Sequence, residues 1–268
     1  MTERHNKKRP GTPAPQRLWL YGRHAVDAAI LNNARKIRRI TVTKNAADWF
    51  EERNGKPLSD ATSAHIDDLK PGEIDKLLPA NSVHQGLAAE VLDLPRERLK
   101  ETCAISDGQN RPVIVLDQIT DPQNIGAIFR SAAAFGAKAV IVQDRRTPPL
   151  SGVLAKAAAG GIETVPCVRA VNIARSLDAL KDLGYQCVGL AGDATTTLKA
   201  LSDDTATNRV PVALVLGAEG SGLRKLVAET CDSLCKIDMA PAMESLNVSN
   251  AAAISLYELT RTNTFSSL

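Results

Sequence analysis

Apolar residues follow two rhythms in the second half of this chain. From Pro112 to Ile119 they run almost without a break, as in a strand covered on both faces. Ala139–Gln143, Tyr185–Leu190, Val212–Leu216 and Ser233–Met239 read as further strands. Between them the spacing changes to the three-and-four pattern of helices. Gln123–Phe135 is closed by Gly136, Leu154–Ala159 precedes Gly160-Gly161, and Ile173–Leu183 stops at Gly184. Leu223–Thr230 and Val248–Thr260 complete the set. Val165–Val168 reads as an edge strand, because Pro166 has no N–H to give to a ladder. Repeated strand–helix units predict an α/β fold, with an open, mostly parallel sheet and helices on both faces.

The first half alternates too, in shorter pieces. A strand at Leu18–Gly22, a helix at His24–Leu31 and a strand at Arg38–Lys44 come first. Asp48–Arg53 reads as helical, Ala64–Leu69 as strand and turn, Ile74–Leu78 as a short helix and Gly86–Val91 as a strand. This predicts a small α/β domain over residues 17–94. The charged, turn-rich segment 95–110 reads as a linker to a larger domain at 111–268.

Composition narrows the class. The chain has 268 residues, 44% hydrophobic and 24% charged, ordinary for a globular protein of one or two domains. No apolar run approaches the ~20 residues that span a bilayer. The N-terminus lacks the apolar segment of a signal peptide, so a cytoplasmic protein is expected. The 5 cysteines, Cys103, Cys167, Cys187, Cys231 and Cys235, are irregularly spaced. No second pair or histidine cluster accompanies Cys231 and Cys235, which speaks for free, mostly buried thiols and against a metal site.

Charge is concentrated at one end. Arg4, Lys7, Lys8, Arg9 and Arg17 against Glu3 leave the remaining chain near neutral. Residues 1–16, with Pro10, Pro13 and Pro15, read as a disordered basic arm. Such an arm suits contact with a polyanion, and equally suits solubility. Arg35, Lys36, Arg38, Arg39 and Lys44 form a second cluster. It reads either as a phosphate-contacting surface or as a solvated edge strand.

In open parallel sheets, ligands sit beyond the carboxyl ends of the strands. Three loops occupy such places: 117–125, 217–222 and 239–249. In the first, Asp121 is a good N-cap and Pro122 suits the first helical position. Gly126 inside the helix costs about 1 kcal/mol relative to Ala, which implies a close approach to it. Arg130 sits among apolar neighbours and needs an anionic partner or a route to solvent. The second loop, Leu216-Gly-Ala-Glu-Gly-Ser-Gly222, is a strand-to-helix turn that fits neither the dinucleotide nor the P-loop pattern. Its Glu219 would repel a pyrophosphate. It suits a ligand with positive charge or hydrogen-bond donors, such as the sulfonium, ammonium and hydroxyls of S-adenosylmethionine. In the third, Ser245, Asn247, Ser249 and Asn250 are helix-capping residues after Pro241.

Asp-Pro-Gln-Asn-Ile-Gly-Ala-Ile-Phe-Arg-Ser-Ala (121–132), Leu-Gly-Ala-Glu-Gly-Ser-Gly-Leu (216–223) and Ser-Leu-Asn-Val-Ser (245–249) resemble the three motifs of the SpoU, or TrmH-type, RNA ribose 2′-O-methyltransferases. They occur in the same order and separation, and the likeness spans residues 112–260. Tyr-Gly-Arg-His-Ala-Val (21–26) and Val-His-Gln-Gly (83–86) are similar to the L30e-like RNA substrate domain of the RlmB subgroup. Asp238 and Pro241 depart from the pattern, where proline and glycine are expected.

The resemblance implies a trefoil knot in the C-terminal part of the sheet and a homodimer with the active site near the subunit interface. It implies S-adenosyl-L-methionine bound around Leu216, Gly217, Glu219, Gly220, Ile237, Met239, Ser245 and Leu246. The acceptor would be a ribose hydroxyl in structured RNA, in the RlmB subgroup a guanosine of 23S ribosomal RNA. Arg130 would act on that hydroxyl. An arginine pKa above about 12 suits electrostatic stabilisation better than proton abstraction. Asn124, Glu219, Ser245 and Asn247 would position Arg130 and the nucleotide. A transfer RNA acceptor, a non-catalytic RNA-binding or ribosome-assembly factor and a nucleotide-dependent oxidoreductase are the competing readings. The complete polar set argues against the second, and the acidic turn against the third.

Overall fold

The computed structural model describes residues 17–105, 110–208, 210–240, 242–243 and 245–261. The expected arm at 1–16 and Pro241 lie outside the described residues. Strands β1 (Arg17–Tyr21), β2 (Ile37–Val42), β3 (His65–Asp68) and β4 (Leu87–Leu92) form a first sheet in the order β1-β4-β2-β3. β4 runs antiparallel to β1 and β2, and β3 parallel to β2. Helices α1 (Arg23–Leu31), α2 (Lys44–Asn54), α3 (Leu58–Ala61) and α4 (Pro71–Asp75) connect these strands. α2 begins where the Thr43 hydroxyl accepts from the Ala46 N–H, and ends at Gly55 with a φ of 67°. α4 starts earlier than its apolar residues predict. Pro71 takes the first helical position and Glu73 reaches back to the Lys70 N–H at 2.8 Å.

The second sheet has β5 (Val113–Leu116), β6 (Ala139–Gln143), β7 (Cys167–Ala170), β8 (Gln186–Leu190), β9 (Thr196–Thr197), β10 (Val212–Leu216) and β11 (Ser233–Lys236). Their order is β7-β6-β5-β10-β8-β11-β9, and every neighbouring pair is parallel. α5 (Leu99–Thr102) lies in the expected linker. α6 (Pro122–Ala134), α7 (Gly152–Ala158), α8 (Gly161–Thr164), α9 (Ile173–Asp182), α10 (Leu198–Asn208), α11 (Lys225–Thr230) and α12 (Val248–Thr260) follow. β7 is the expected edge strand, beginning just after Pro166. β9 and α10 occupy a stretch for which the apolar pattern predicts no element.

Strand alternation separates two cores. Ile114 and Leu116 of β5 face Ile125, Ile128 and Phe129 of α6 and Leu256 of α12. Val113 and Val115 face Ile173, Leu177 and Leu180 of α9 and Val227 of α11. Each such fully buried side chain contributes about 1.5–3 kcal/mol. The first core continues into the first sheet, through Leu20, Val26, Ile40 and Phe50.

The two sheets meet across α1, α7 and α8. Gly126 explains itself here. A Cβ at that position would lie 2.4 Å from the Leu154 carbonyl oxygen and 2.6 Å from the Ala157 Cβ, so α7 is the close approach. One expectation is overturned. Arg35 is no part of a solvent-facing basic cluster. Its side chain is 0% exposed and ion-paired with Glu163 of α8 at 2.6 Å, while its Nη1 donates to the Leu92 carbonyl at 2.9 Å. A guanidinium removed from water needs such partners, and here they tie the two sheets together. Arg39 is taken up by Asp67 on β3, and the pairing holds the Asp67 carboxyl below its usual range.

Candidate active site at the carboxyl ends of the strands

β5 ends at Leu116, and the next residue fixes the geometry beyond it. The Asp117 side chain is fully buried and accepts from the Arg224 backbone N–H at 3.1 Å and from Nε at 2.8 Å. The Asp117 N–H donates to the Leu216 carbonyl at 2.8 Å. The first loop is thereby tied to the second before either reaches the cleft. Gln118 follows with a φ of 62°, a strained conformation for a residue with a Cβ. Asp121 then caps α6, accepting from the Gln123 N–H at 3.1 Å. Asp117 and Arg224 were not singled out from the sequence. The available signal is a carboxylate directly after a fully apolar strand.

The second loop is pinched shut. Ala218 and Gly222 exchange backbone hydrogen bonds of 3.1 and 2.9 Å. A Cβ on Gly217 would lie 2.2 Å from the Gly222 carbonyl carbon, so no side chain fits there. The turn carries Glu219 at its tip, exposed to solvent. In the third loop, Asn247 is the N-cap of α12, its Oδ1 accepting from the Ser249 and Asn250 N–H groups at 3.0 and 3.4 Å.

These loops meet at one oxygen. Glu219 Oε1 accepts from Asn247 Nδ2 at 2.8 Å, from Asn124 Nδ2 at 3.2 Å and from the Val248 N–H at 3.4 Å. Asn247 Nδ2 also donates to Asn124 Oδ1 at 3.0 Å. A carboxylate at the start of α12 is favoured by the helix dipole as well as by these donors. The expected catalytic residues Asn124, Glu219 and Asn247 thus form one network.

Two others stand apart from it. Ser245 borders the cleft without joining the network. Arg130 is exposed, and its guanidinium has no hydrogen-bond partner among the described residues. Six residues along α6 put Asn124 and Arg130 about 120° apart round the helix and about 9 Å apart along it. Within one chain, then, Asn124, Glu219, Ser245 and Asn247 do not hold Arg130 directly.

Beside the network lies a cleft of about 690 Å³, within the range of cofactor sites. Leu216, Gly217, Glu219 and Gly220 line one wall. Ile237, Met239, Ser245 and Leu246 line the other, so all eight expected cofactor residues border it. Lys236 and the network residue Asn247 also line it, as do Leu190, Ala191 and Gly192, at the carboxyl end of β8. The carboxyl-end rule could have found them, since β8 is a neighbour of β10. The lining fits S-adenosylmethionine. Apolar side chains can receive the adenine, backbone groups of the loops can meet ribose hydroxyls, and Glu219 supplies negative charge.

Fold and site together define an α/β methyltransferase of the kind that binds its cofactor in loops at the end of a parallel sheet. The chain matches the SpoU rRNA Methylase family over residues 111–257, and the RNA 2′-O ribose methyltransferase substrate binding family over residues 19–95. It belongs to the SpoU family. It is 44% identical over 254 residues to the 23S rRNA (guanosine-2′-O-)-methyltransferase RlmB of Burkholderia sp, covering 92% of this chain and 97% of that protein. It is 37% identical over 248 residues to an uncharacterized tRNA/rRNA methyltransferase of Synechocystis sp., of which it spans 63%. The SpoU methyltransferase AviRb from Streptomyces viridochromogenes, solved in complex with AdoMet, has the same fold with a TM-score of 0.73 at 24% identity, covering 91% of this chain and 89% of that one.

Proposed function

We propose that this protein transfers the methyl group of S-adenosyl-L-methionine to the ribose 2′-hydroxyl of a guanosine in 23S ribosomal RNA. The observation that carries the reading is the Asn124–Glu219–Asn247 network beside a cleft bordered by the eight cofactor residues. Residues 111–268 are the catalytic unit, 17–94 the RNA substrate unit and 95–110 the linker. The basic arm at 1–16 adds RNA affinity, and the protein works in the cytoplasm. A knotted C-terminal segment belongs to the same proposal, on the likeness to the SpoU family.

Bound in the cleft, the cofactor supplies an electrophilic methyl group. The attacking 2′-hydroxyl would take that methyl and give up its proton to the adjacent phosphate or to water. Arg130 holds that phosphate and stabilises the developing alkoxide, without giving up its own proton. Glu219 and the two asparagines fix the loops that shape the cleft.

A homodimer completes the site. Arg130 stands outside its own chain's network, which is consistent with use against a second copy. Ile254 and Tyr257 of α12 are 42% and 60% exposed, and Tyr257 packs edge-on against Phe135 with ring centroids 6.0 Å apart. Such an apolar strip suits a subunit contact.

The test is Arg130→Ala. Methyl transfer to 23S transcripts is expected to vanish while calorimetry shows unchanged cofactor affinity. Transfer within threefold of the unmutated protein would refute the assignment.

A further inference from the structure

The first sheet carries a cationic–aromatic cluster at the start of α1 and along α2. The Arg23 guanidinium carbon lies 5.3 Å from the centre of the Trp49 ring, and that of Arg53 lies 5.7 Å from it. His24 meets the same indole edge-on, with centroids 5.6 Å apart. Trp49 is half-buried against the core and His24 is exposed.

The two arginines differ in how their charge is met. Arg53 Nε pairs with the buried Asp27 at 2.8 Å. Arg23 is held by neutral acceptors. Its Nε donates to the Gln85 carbonyl at 3.3 Å, and Nη2 donates to Asn45 Oδ1. Gln85 has a φ of 56°, so a strained residue presents the carbonyl that fixes this guanidinium. Glu52, about 60° round the helix from Trp49, is the nearest carboxylate of α2, while Asp48 and Glu51 lie about 100° and 160° away. The result is an oriented cation with no carboxylate partner among the described residues, next to an indole.

The cluster lies close to the catalytic helix. Two consecutive glycines separate α1 from α6. A Cβ on Gly160 would fall 2.7 Å from the Ala28 Cβ and 3.4 Å from the His24 carbonyl. A Cβ on Gly161 would fall 2.6 Å from the Phe129 carbonyl and 3.1 Å from the Arg130 N. Backbone contacts on two successive residues put His24 and Arg130 on the order of 10 Å apart. That distance is about three nucleotides of a stacked strand.

We propose that Arg23, His24 and Trp49 form a binding site for an unpaired nucleotide of the RNA, about three nucleotides from the one that Arg130 addresses. The base stacks on the Trp49–arginine array, as unpaired bases do on aromatic rings and guanidinium planes, and its phosphate meets Arg23. The inference rests on the RNA reading above and adds which residues of the first sheet make contact. The basic cluster around β2, an interior strand between β4 and β3 and not the edge strand expected, does not carry it, since Arg35 and Arg39 are already paired.

The test measures RNA affinity directly on the full chain, with Arg23→Gln, Trp49→Leu and Trp49→Phe, against protein-free 23S transcripts over a range of salt. Arg23→Gln is expected to weaken binding about tenfold and to lower the salt slope by about 1. Trp49→Leu is expected to weaken it about tenfold with the slope unchanged, and Trp49→Phe to restore most of the loss. Cofactor affinity stays constant in all three, and their melting curves confirm folding. Variants that bind RNA within twofold of the unmutated protein overturn the inference, as does binding that requires assembled ribosomal particles. A protein whose RNA affinity depends on Arg23 and Trp49 but which transfers no methyl group overturns the proposed function and leaves this site standing.

Discussion

Replacing Asn247 by Asp separates two functions of one side chain. Its Oδ1 caps α12, and its Nδ2 binds Glu219 at 2.8 Å and Asn124 at 3.0 Å. Asp is as good an N-cap as Asn, and its charge is favoured at a helix start by about 0.3–1 kcal/mol. The fold therefore keeps its cap. The network does not survive. A donor to a carboxylate is lost, a difference of about 1.5–3 kcal/mol, of which the lower half applies at this exposed position. In its place two carboxylates face each other, adding about 1 kcal/mol of repulsion in a water-like environment. The sum, about 2.5–3.3 kcal/mol, falls on the arrangement of the cleft. At 1.36 kcal/mol per decade it predicts a drop of about 70- to 250-fold in kcat/KM. Asn247→Ala provides the contrast, since it loses the cap as well and costs about 1 kcal/mol of stability. The assay is transfer of labelled methyl groups to 23S transcripts, beside thermal melts of both variants. Asn247→Asp is expected to melt within about 2 °C of the unmutated protein and Asn247→Ala about 2–4 °C lower. An Asn247→Asp enzyme within threefold of full activity, or one that melts like Asn247→Ala, would refute the division of roles.

Two further outcomes follow from buried groups. Glu163→Gln leaves the Arg35 charge, 0% exposed, without its carboxylate, and urea titration is expected to register a loss of about 3–5 kcal/mol; a loss below 1 kcal/mol would mean that water reaches the pair. Burial pushes the Cys103 and Cys235 thiols up from 9.0 to about 11, and that of Cys187 to about 12. The unfolded chain therefore releases these protons first. Stability is complete below pH 9 and declines from there towards pH 11, by on the order of 1.4 kcal/mol per pH unit for each thiol. Urea midpoints that stay level from pH 8.5 to 11 would contradict this.

What was legible in the sequence follows from where burial lies. β5, β6 and β10 are covered on both faces, and their continuous apolar runs mark them. α10 is polar, with Leu198, Leu201 and Ser202 its buried residues among those described, too few to set a helical rhythm. Asp121, Glu219 and Asn247 were each visible as a cap or a charge near a helix start, and Asn124 only through the resemblance to the family. Their meeting was not, because it depends on strand order: β10 lies beside β5, although 95 residues separate Asn124 from Glu219. Arg35 misleads for the same reason. In its own segment it is one basic residue among several, and the partner that buries it lies 128 residues away.

Strand order also bears on Arg130, which touches none of the network and yet has a fixed place. α6 is held at two points. Asn124 in its first turn is bound to Glu219 and Asn247, and Gly126, one half-turn on, is wedged against the α7 backbone. A helix fixed at one end and along one side has little freedom to rotate or slide. Arg130, at the next turn, inherits its height above the cleft from these contacts. Phe129 and Ala132, both fully buried, set its rotation about the helix axis. The network orders the cleft loops on one side and the helix that carries Arg130 on the other. The guanidinium itself remains free to meet a phosphate. In the proposed mechanism a direct bond from Arg130 to Glu219 would neutralise the charge set against the phosphate, so the separation of the two suits that role.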